Sequence, residues 1–246
     1  MIGTENKTYT STRNACKLCT PLGACIAFKG IRGCIPLIHG SQGCATYIRR
    51  YMISHYREPV DIASTSFSEE ATVFGGNKLF NTSIDNIIEQ YHPELIAISS
   101  TCLSETIGEN IPKLLKEYIT LNHDKKLPEF VWASTPSYSG THIDGFHEAV
   151  LSLVKTFAIQ GKSHNTVNLF PGFVSPEDLR YIKEILNDFA IRYNLIPDYS
   201  ESLDNPNWED YKRIPEGGVP VGTISNCGYA KASIEFGYVF NKGSIP

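Results

Sequence analysis

The chain lacks an apolar run approaching the roughly 18 residues that a membrane-spanning helix needs. It lacks a charged start leading into a short apolar stretch, the pattern of a secretory signal. Neither membrane insertion nor export is expected, and the expected compartment is the cytoplasm. A basic field is missing too: 22 Lys and Arg stand against 26 Asp and Glu, a net charge of −4. Nucleic acid is therefore a poor partner. No G-x-x-x-x-G-K-[S/T] motif is present, so ATP hydrolysis belongs to another protein. Cys16-Lys17-Leu18-Cys19 is a CxxC, but no second one follows at zinc-ribbon spacing, which disfavours structural zinc. His55, His142 and His147 have no paired ligand spacing and read as structural.

What is present is cysteine, in an odd number and unevenly spread. Seven cysteines over 246 residues do not form a disulfide framework, and in a reducing compartment they serve structure, catalysis or metal binding. Four of them lie between Cys19 and Cys44 (CTPLGACIAFKGIRGCIPLIHGSQGC). This stretch is rich in Gly, and its Pro residues argue against a long helix, so it reads as an irregular entry segment. Cys25 and Cys34 sit in apolar surroundings and read as buried, inert thiols. Cys19 and Cys44 read as candidate metal ligands. Cys44 ends a glycine-flanked turn just before a helix expected over 45–56, where the helix dipole favours a thiolate. In that helix Tyr47 and Tyr51 individually read as core-facing. His39 either donates a hydrogen bond to a bound group or holds its own loop. Glu69 and Glu70 read as a solvated helix start.

Residues 1–14 are polar and without periodicity, an expected extended arm. A short strand is expected over 61–66, and 68–76 reads as a loop ending in a glycine pair. From residue 83 onward helices and strands alternate: helix 83–90, strand 95–99, helix 107–118, strand 130–133, helix 145–157, strand 166–170, helix 176–189. Alternation of this kind predicts an α/β fold with a parallel sheet flanked by helices, Rossmann-like. Functional groups then belong at the carboxyl ends of strands, in loops 100–106 and 134–142. Residues 1–162 are expected to form a cluster-binding α/β domain, and 163–246 the start of a second, incomplete one.

The segments CTPLGA, HGSQGC, HYREPVDIAS, EEATVFGG, STCLSETIGEN and TPSYSG resemble the signatures of the nitrogenase component 1 superfamily. They are most similar to its β-type chains, which comprise the molybdenum-iron protein β subunit and a cofactor-assembly scaffold paralogue. The similarity runs from about residue 16 to 145, more weakly to about 237, and covers the amino-terminal half of such chains. The resemblance implies that Cys19, Cys44 and Cys102 are metal ligands to an interface iron-sulfur cluster, P-cluster-like or [4Fe-4S], shared with an α-type partner subunit. It implies that Ser137 joins them in the oxidised form, that Phe74 lies at the docking surface for an ATP-dependent iron-sulfur reductase, and that Glu58 contributes to an inter-subunit cation site. The function implied is electron relay from that reductase to a cofactor in the α-type partner of a nitrogen-fixing oxidoreductase, in a heterotetramer and not by the chain alone. The alternatives implied are a scaffold subunit for iron-molybdenum cofactor biosynthesis, and a related reductase of tetrapyrroles or sulfur compounds. The apolar residues Cys25, Ile26, Phe28, Ile31, Cys34 and Ile35 are expected to form a surface that a second subunit covers.

Overall fold

A computed structural model describes residues 17–205 and 211–236. The arm over 1–14, Cys16 of the CxxC, part of the connection after Asp204 and the last ten residues lie outside the described residues. The first half runs α1 (Thr20–Lys29), β1 (Cys34–His39), α2 (Gln42–Tyr56), β2 (Ala63–Ser64), α3 (Glu69–Phe74), α4 (Asn77–Tyr91), β3 (Leu95–Ser100), α5 (Cys102–Thr106), α6 (Ile111–Leu121), β4 (Glu129–Ala133) and α7 (His142–Phe157). The rest runs β5 (His164–Phe170), α8 (Pro176–Asp188), β6 (Tyr193–Leu195), α9 (Val221–Ser225), a 3-10 turn (Asn226–Tyr229) and β7 (Ala230–Glu235). The strands form two parallel sheets, β2-β1-β3-β4 and β6-β5-β7. The fold is α/β, parallel sheets flanked by helices.

The first sheet is covered on both faces, and its strands alternate between two cores. Cys34, Ile38, Leu95, Ala97, Val131 and Ala133 pack toward α1, α2 and α7. Ile35, Leu37, Ile96, Ile98 and Phe130 pack toward α4 and α6. Burial on both faces fits the mostly apolar sequences of β1 and β3, neither of which alternates with polar residues.

The irregular entry segment is in fact regular. Residues 20–29 form α1, and all ten are buried. Pro21 sits in the first turn, where no N–H is needed, and starts the helix instead of breaking it. A helix buried all round carries no amphipathic stripe, so periodicity does not reveal it. β1 is a central strand despite Pro36. β2 pairs only with Leu37 and Ile38, so Pro36 lies where β1 has a single sheet neighbour, β3. Glu69 and Glu70 do start a helix, as expected: Ser68 accepts a hydrogen bond from the Ala71 N–H and opens α3, and the departure is that the helix runs on to Phe74 where a loop was expected. Cys25, Ile26, Phe28, Ile31, Cys34 and Ile35 are all interior and form no surface for a partner.

Candidate metal centre

Strands β1, β3 and β4 are in register, His39 opposite Ser100 and Ser99 opposite Ala133. The loops that follow them therefore leave from one edge. Cys44 lies in the first turn of α2 after β1, Cys102 opens α5 after β3, and Ser137 lies in the loop after β4. Cys19 reaches the same edge from elsewhere, as the cap residue of α1. The Ser137 N–H donates to Cys102 Sγ at 3.1 Å, and the Thr20 N–H donates to Ser137 Oγ at 3.3 Å. Cys19, Cys44 and Cys102 are all exposed, whereas Cys25, Cys34 and Cys227 are buried.

Burial chiefly pushes the Cys44 thiol above its ordinary value, and the neighbouring Cys19 and Cys102 sulfurs add to the rise. Burial raises Cys19 in the same way; its backbone hydrogen bonds oppose this, and Cys102 adds to it. For Cys19 and Cys44, a positive group at this edge would favour the thiolate over the thiol. As a donor set, three soft sulfurs and a hydroxyl fit iron-sulfur chemistry better than a hard cation. Among the described residues, no group of three or more His, Cys, Asp and Glu is placed to hold a metal ion.

Three glycines here, Gly23, Gly40 and Gly145, make room for protein, whereas Gly43 beside Cys44 faces open space. A Cβ on Gly23 of α1 would fall 1.7 Å from the His142 carbonyl oxygen, and one on Gly145 of α7 would fall 1.9 Å from that of Thr20. The two helices thus touch backbone to backbone, which sets Cys19 beside Ser137. A Cβ on Gly40 would meet Thr101 Oγ1 at 2.2 Å, so the loops after β1 and β3 close on each other there. Thr101 in turn caps α5 and donates to the His39 carbonyl at 3.0 Å.

Two carboxylates in STCLSETIGEN that sequence reading passed over hold this edge together. Glu105 Oε1 accepts hydrogen bonds from Ser100 Oγ at 2.5 Å and Ser134 Oγ at 2.6 Å, joining α5 to the ends of β3 and β4. Glu109 accepts the Gly76 N–H at 2.7 Å and lies 3.3 Å from His39 Nε2. The available signal was two acidic residues at i, i+4 after a cysteine at a strand end; nothing local distinguishes them from solvated charges.

The remaining candidates separate from the thiols. Phe74 ends α3 and is 84% exposed, beside the exposed Val73. Glu58 is half-buried; burial raises its pKa, the carboxylate of Asp204 adds to the rise, and the Asn205 N–H opposes it. Tyr47 and Tyr51 are exposed and not core-facing, because α2 begins at Gln42 and turns Ala45, Ile48 and Met52 inward. His39 is wholly buried, and burial lowers its pKa against the pull of Glu109. His142 and His147 are half-buried and lie edge-on to Phe173 and Phe146. His55 packs edge-on against Tyr56, and Glu69 and Glu70 are exposed in the first turn of α3. No described helix is long and apolar enough to cross a membrane.

A family model described as nitrogenase component 1 type oxidoreductase matches residues 19–243. The nitrogenase molybdenum-iron protein beta chain of Clostridium pasteurianum is 38% identical over 229 residues, 91% of this chain and 49% of the relative. The nitrogenase iron-molybdenum cofactor biosynthesis protein NifN of a Nostoc species is 34% identical over 226 residues, 91% of this chain and 51% of the relative. A solved structure titled nitrogenase Cp1 at pH 6.5 superposes with a TM-score of 0.86 at 36% identity, over 94% of this chain and 50% of that one. The chain spans about half the length of the curated relatives it matches.

Proposed function

The chain belongs to the nitrogenase component 1 type oxidoreductase family and resembles the amino-terminal region of its β-type chains, and from that premise we propose that it is the electron-relay subunit of a nitrogenase-like complex. The observation that carries the reading is the gathering of Cys19, Cys44, Cys102 and Ser137 at one sheet edge from four separate segments. In this reading Cys19, Cys44 and Cys102 hold an iron-sulfur cluster shared with an α-type subunit, and residues 1–162 form the cluster-binding unit. When bound, the cluster supplies one-electron chemistry whose potential depends on its hydrogen bonds and solvent access. The protein's part is placement. Thr101 and Glu105 fix Cys102 against β3 and β4, and the α1–α7 contact fixes Cys19. Ser137 stands ready with a hydroxyl beside Cys102. Phe74 offers an exposed aromatic to an ATP-dependent iron-sulfur reductase, and the exposed Tyr47, Tyr51 and Tyr138 offer apolar surface near the thiols to the partner subunit. Glu58, beside Asp204, would serve an inter-subunit cation.

The similarity to NifN supports a second reading, a scaffold subunit for cofactor assembly. Retention of all three thiols and Ser137 favours the relay. The test is iron analysis and paramagnetic resonance on the chain alone and co-purified with its partner. The expected result is a metal-poor isolated chain and an oxygen-sensitive iron-sulfur signal in the complex. A monomer carrying a full cluster by itself overturns the shared site, and a complex that releases its cofactor to another protein favours the scaffold.

A further inference from the structure

We propose that Glu109 is a positioning residue that couples the Phe74 loop to the thiol-bearing loop after β1. Its purpose rests on the relay reading above; the coupling itself is a property of two loops in this chain. The Glu109 side chain is 9% exposed and lies between α5 and α6. Its Oε1 accepts the N–H of Gly76, two residues beyond Phe74, and its Oε2 meets His39, five residues before Cys44. One carboxylate therefore joins the turn that carries the exposed aromatic to the strand end that leads into a thiol.

Both ends of the link are held tightly. Gly75 has a φ of +95°, and a Cβ on Gly76 would fall 2.5 Å from the Phe67 ring. The same Phe67 stands edge-on to His39 at 4.8 Å, and Phe80 closes the other side at 5.3 Å. His39 Nδ1 has no hydrogen-bond partner, so Glu109 supplies the polar contact of a wholly buried ring. Withdrawing it leaves that ring's Nε2 unpaired and buried as well. The His39 carbonyl accepts from Thr101, which caps the helix opening at Cys102. A shift of the Gly75-Gly76 turn thus either drags Glu109 and His39 with it or breaks a charge-assisted hydrogen bond. Force applied at Phe74 reaches the turns of Cys44 and Cys102 through this carboxylate.

The test is backbone amide exchange on the full chain co-purified with its partner, for Glu109→Ala and Glu109→Gln. Glu109→Ala is expected to speed exchange roughly tenfold in both 39–45 and 74–78. The glutamine carbonyl can still accept from Gly76 while its amide donates to His39 Nε2 in the other tautomer. Glu109→Gln is therefore expected to return both segments to within about twofold of the unsubstituted protein. A residue that merely stabilised its own turn would move 105–111 alone, and that result overturns the proposal. So does acceleration in one distant segment without the other, or a Gln variant as loose as the Ala variant. Should Glu109→Ala not fold, Glu109→Asp, shorter by one methylene, must loosen both segments together; loosening of one alone overturns the proposal. Exchange needs neither cluster nor reductase. Failure of the relay reading appears separately, as an unsubstituted complex without reductase-dependent turnover. If the relay holds, Glu109→Ala lowers the maximal rate and leaves the half-saturating reductase concentration within about twofold.

Discussion

At the carboxyl edge of the β2-β1-β3-β4 sheet stand thiols, hydroxyls and carboxylates: Cys44, Ser100, Thr101, Cys102, Glu105 and Ser137. At the same edge of the β6-β5-β7 sheet stand Pro171 and Gly172 after β5 and Ile196 and Pro197 after β6, with the Phe236 N–H tied to the Phe170 carbonyl. Two amides of this second sheet are buried within it. Asn194 Nδ2 donates to Asn168 Oδ1 at 2.9 Å, and Asn168 Nδ2 donates to the Cys227 carbonyl and to Ser233 Oγ. Two sheets of the same parallel, helix-flanked construction thus spend their polar residues differently. The first leaves Cys44 and Cys102 exposed at its edge, beside Ser100 and Thr101, which are buried and bonded within the protein; the second keeps Asn168 and Asn194 buried and satisfied, where a buried amide without partners is costly. The architecture permits a site at such an edge without requiring one.

The sharpest way to break this comparison is to remove one thiol from each region. Cys102→Ala or Cys44→Ala is expected to abolish most of the iron bound by the assembled complex, while Cys227→Ala retains it; metal analysis reads the difference. Equal losses would show that the thiols act through folding and not as ligands.

Glycines sharpen the contrast further. Gly145→Ala would drive a Cβ into the Thr20 carbonyl and part α1 from α7, a loss of about 1–3 kcal/mol. Gly222 of α9 has nothing within 4 Å of the corresponding position. Gly222→Ala is expected to be neutral or to stabilise by about 0.5–1 kcal/mol. Urea denaturation measures both.

Alkaline pH treats the two regions alike. Burial pushes the Cys34 and Cys227 thiols up to about 12. In the unfolded chain they ionise near their ordinary value of about 8.5. The unfolded state sheds these protons first, so stability is intact below that value and falls as pH rises toward the folded one. At about pH 9.5 each thiol is expected to account for about 1.4 kcal/mol of loss, and Cys34→Ala or Cys227→Ala should flatten the dependence of the urea midpoint on pH.

The smallest effect on stability distinguishes two exposed aromatics. Phe74 is 84% exposed and Phe189, in the second region, 74%. Replacing either with Ala is expected to change stability by no more than about 0.5 kcal/mol. Only Phe74→Ala should weaken coupling to the reductase, with cluster content unchanged. Loss of the cluster would mark Phe74 as a packing residue.

The alternation of strands and helices after residue 83 was legible because those helices are one-sided: Phe80, Ile84 and Ile87 of α4, or Leu179 and Leu186 of α8, face inward while their neighbours meet water. The cap at Ser175 was equally local. Helix α1 and strand β1 were not legible, since residues buried on every side show no period and Pro21 and Pro36 carry opposite local signals. Glu105 and Glu109 were illegible for another reason. A carboxylate reveals its partner only when the chain brings Ser134 or Gly76 to it, 29 and 33 residues away.

The sequence by itself determined which chemistry was available: outward candidates in Cys19, Cys44 and Cys102, apolar settings for Cys25 and Cys34, and small residues wherever backbones would meet. Each of those signals lies within a few residues of the side chain concerned, where local sterics and solvation act. Only the tertiary structure decided that four segments up to more than a hundred residues apart would meet at one edge. It did so through sheet register and the backbone contact of α1 with α7, because a side chain's position relative to distant neighbours depends on close packing across the whole core and not on the residues beside it.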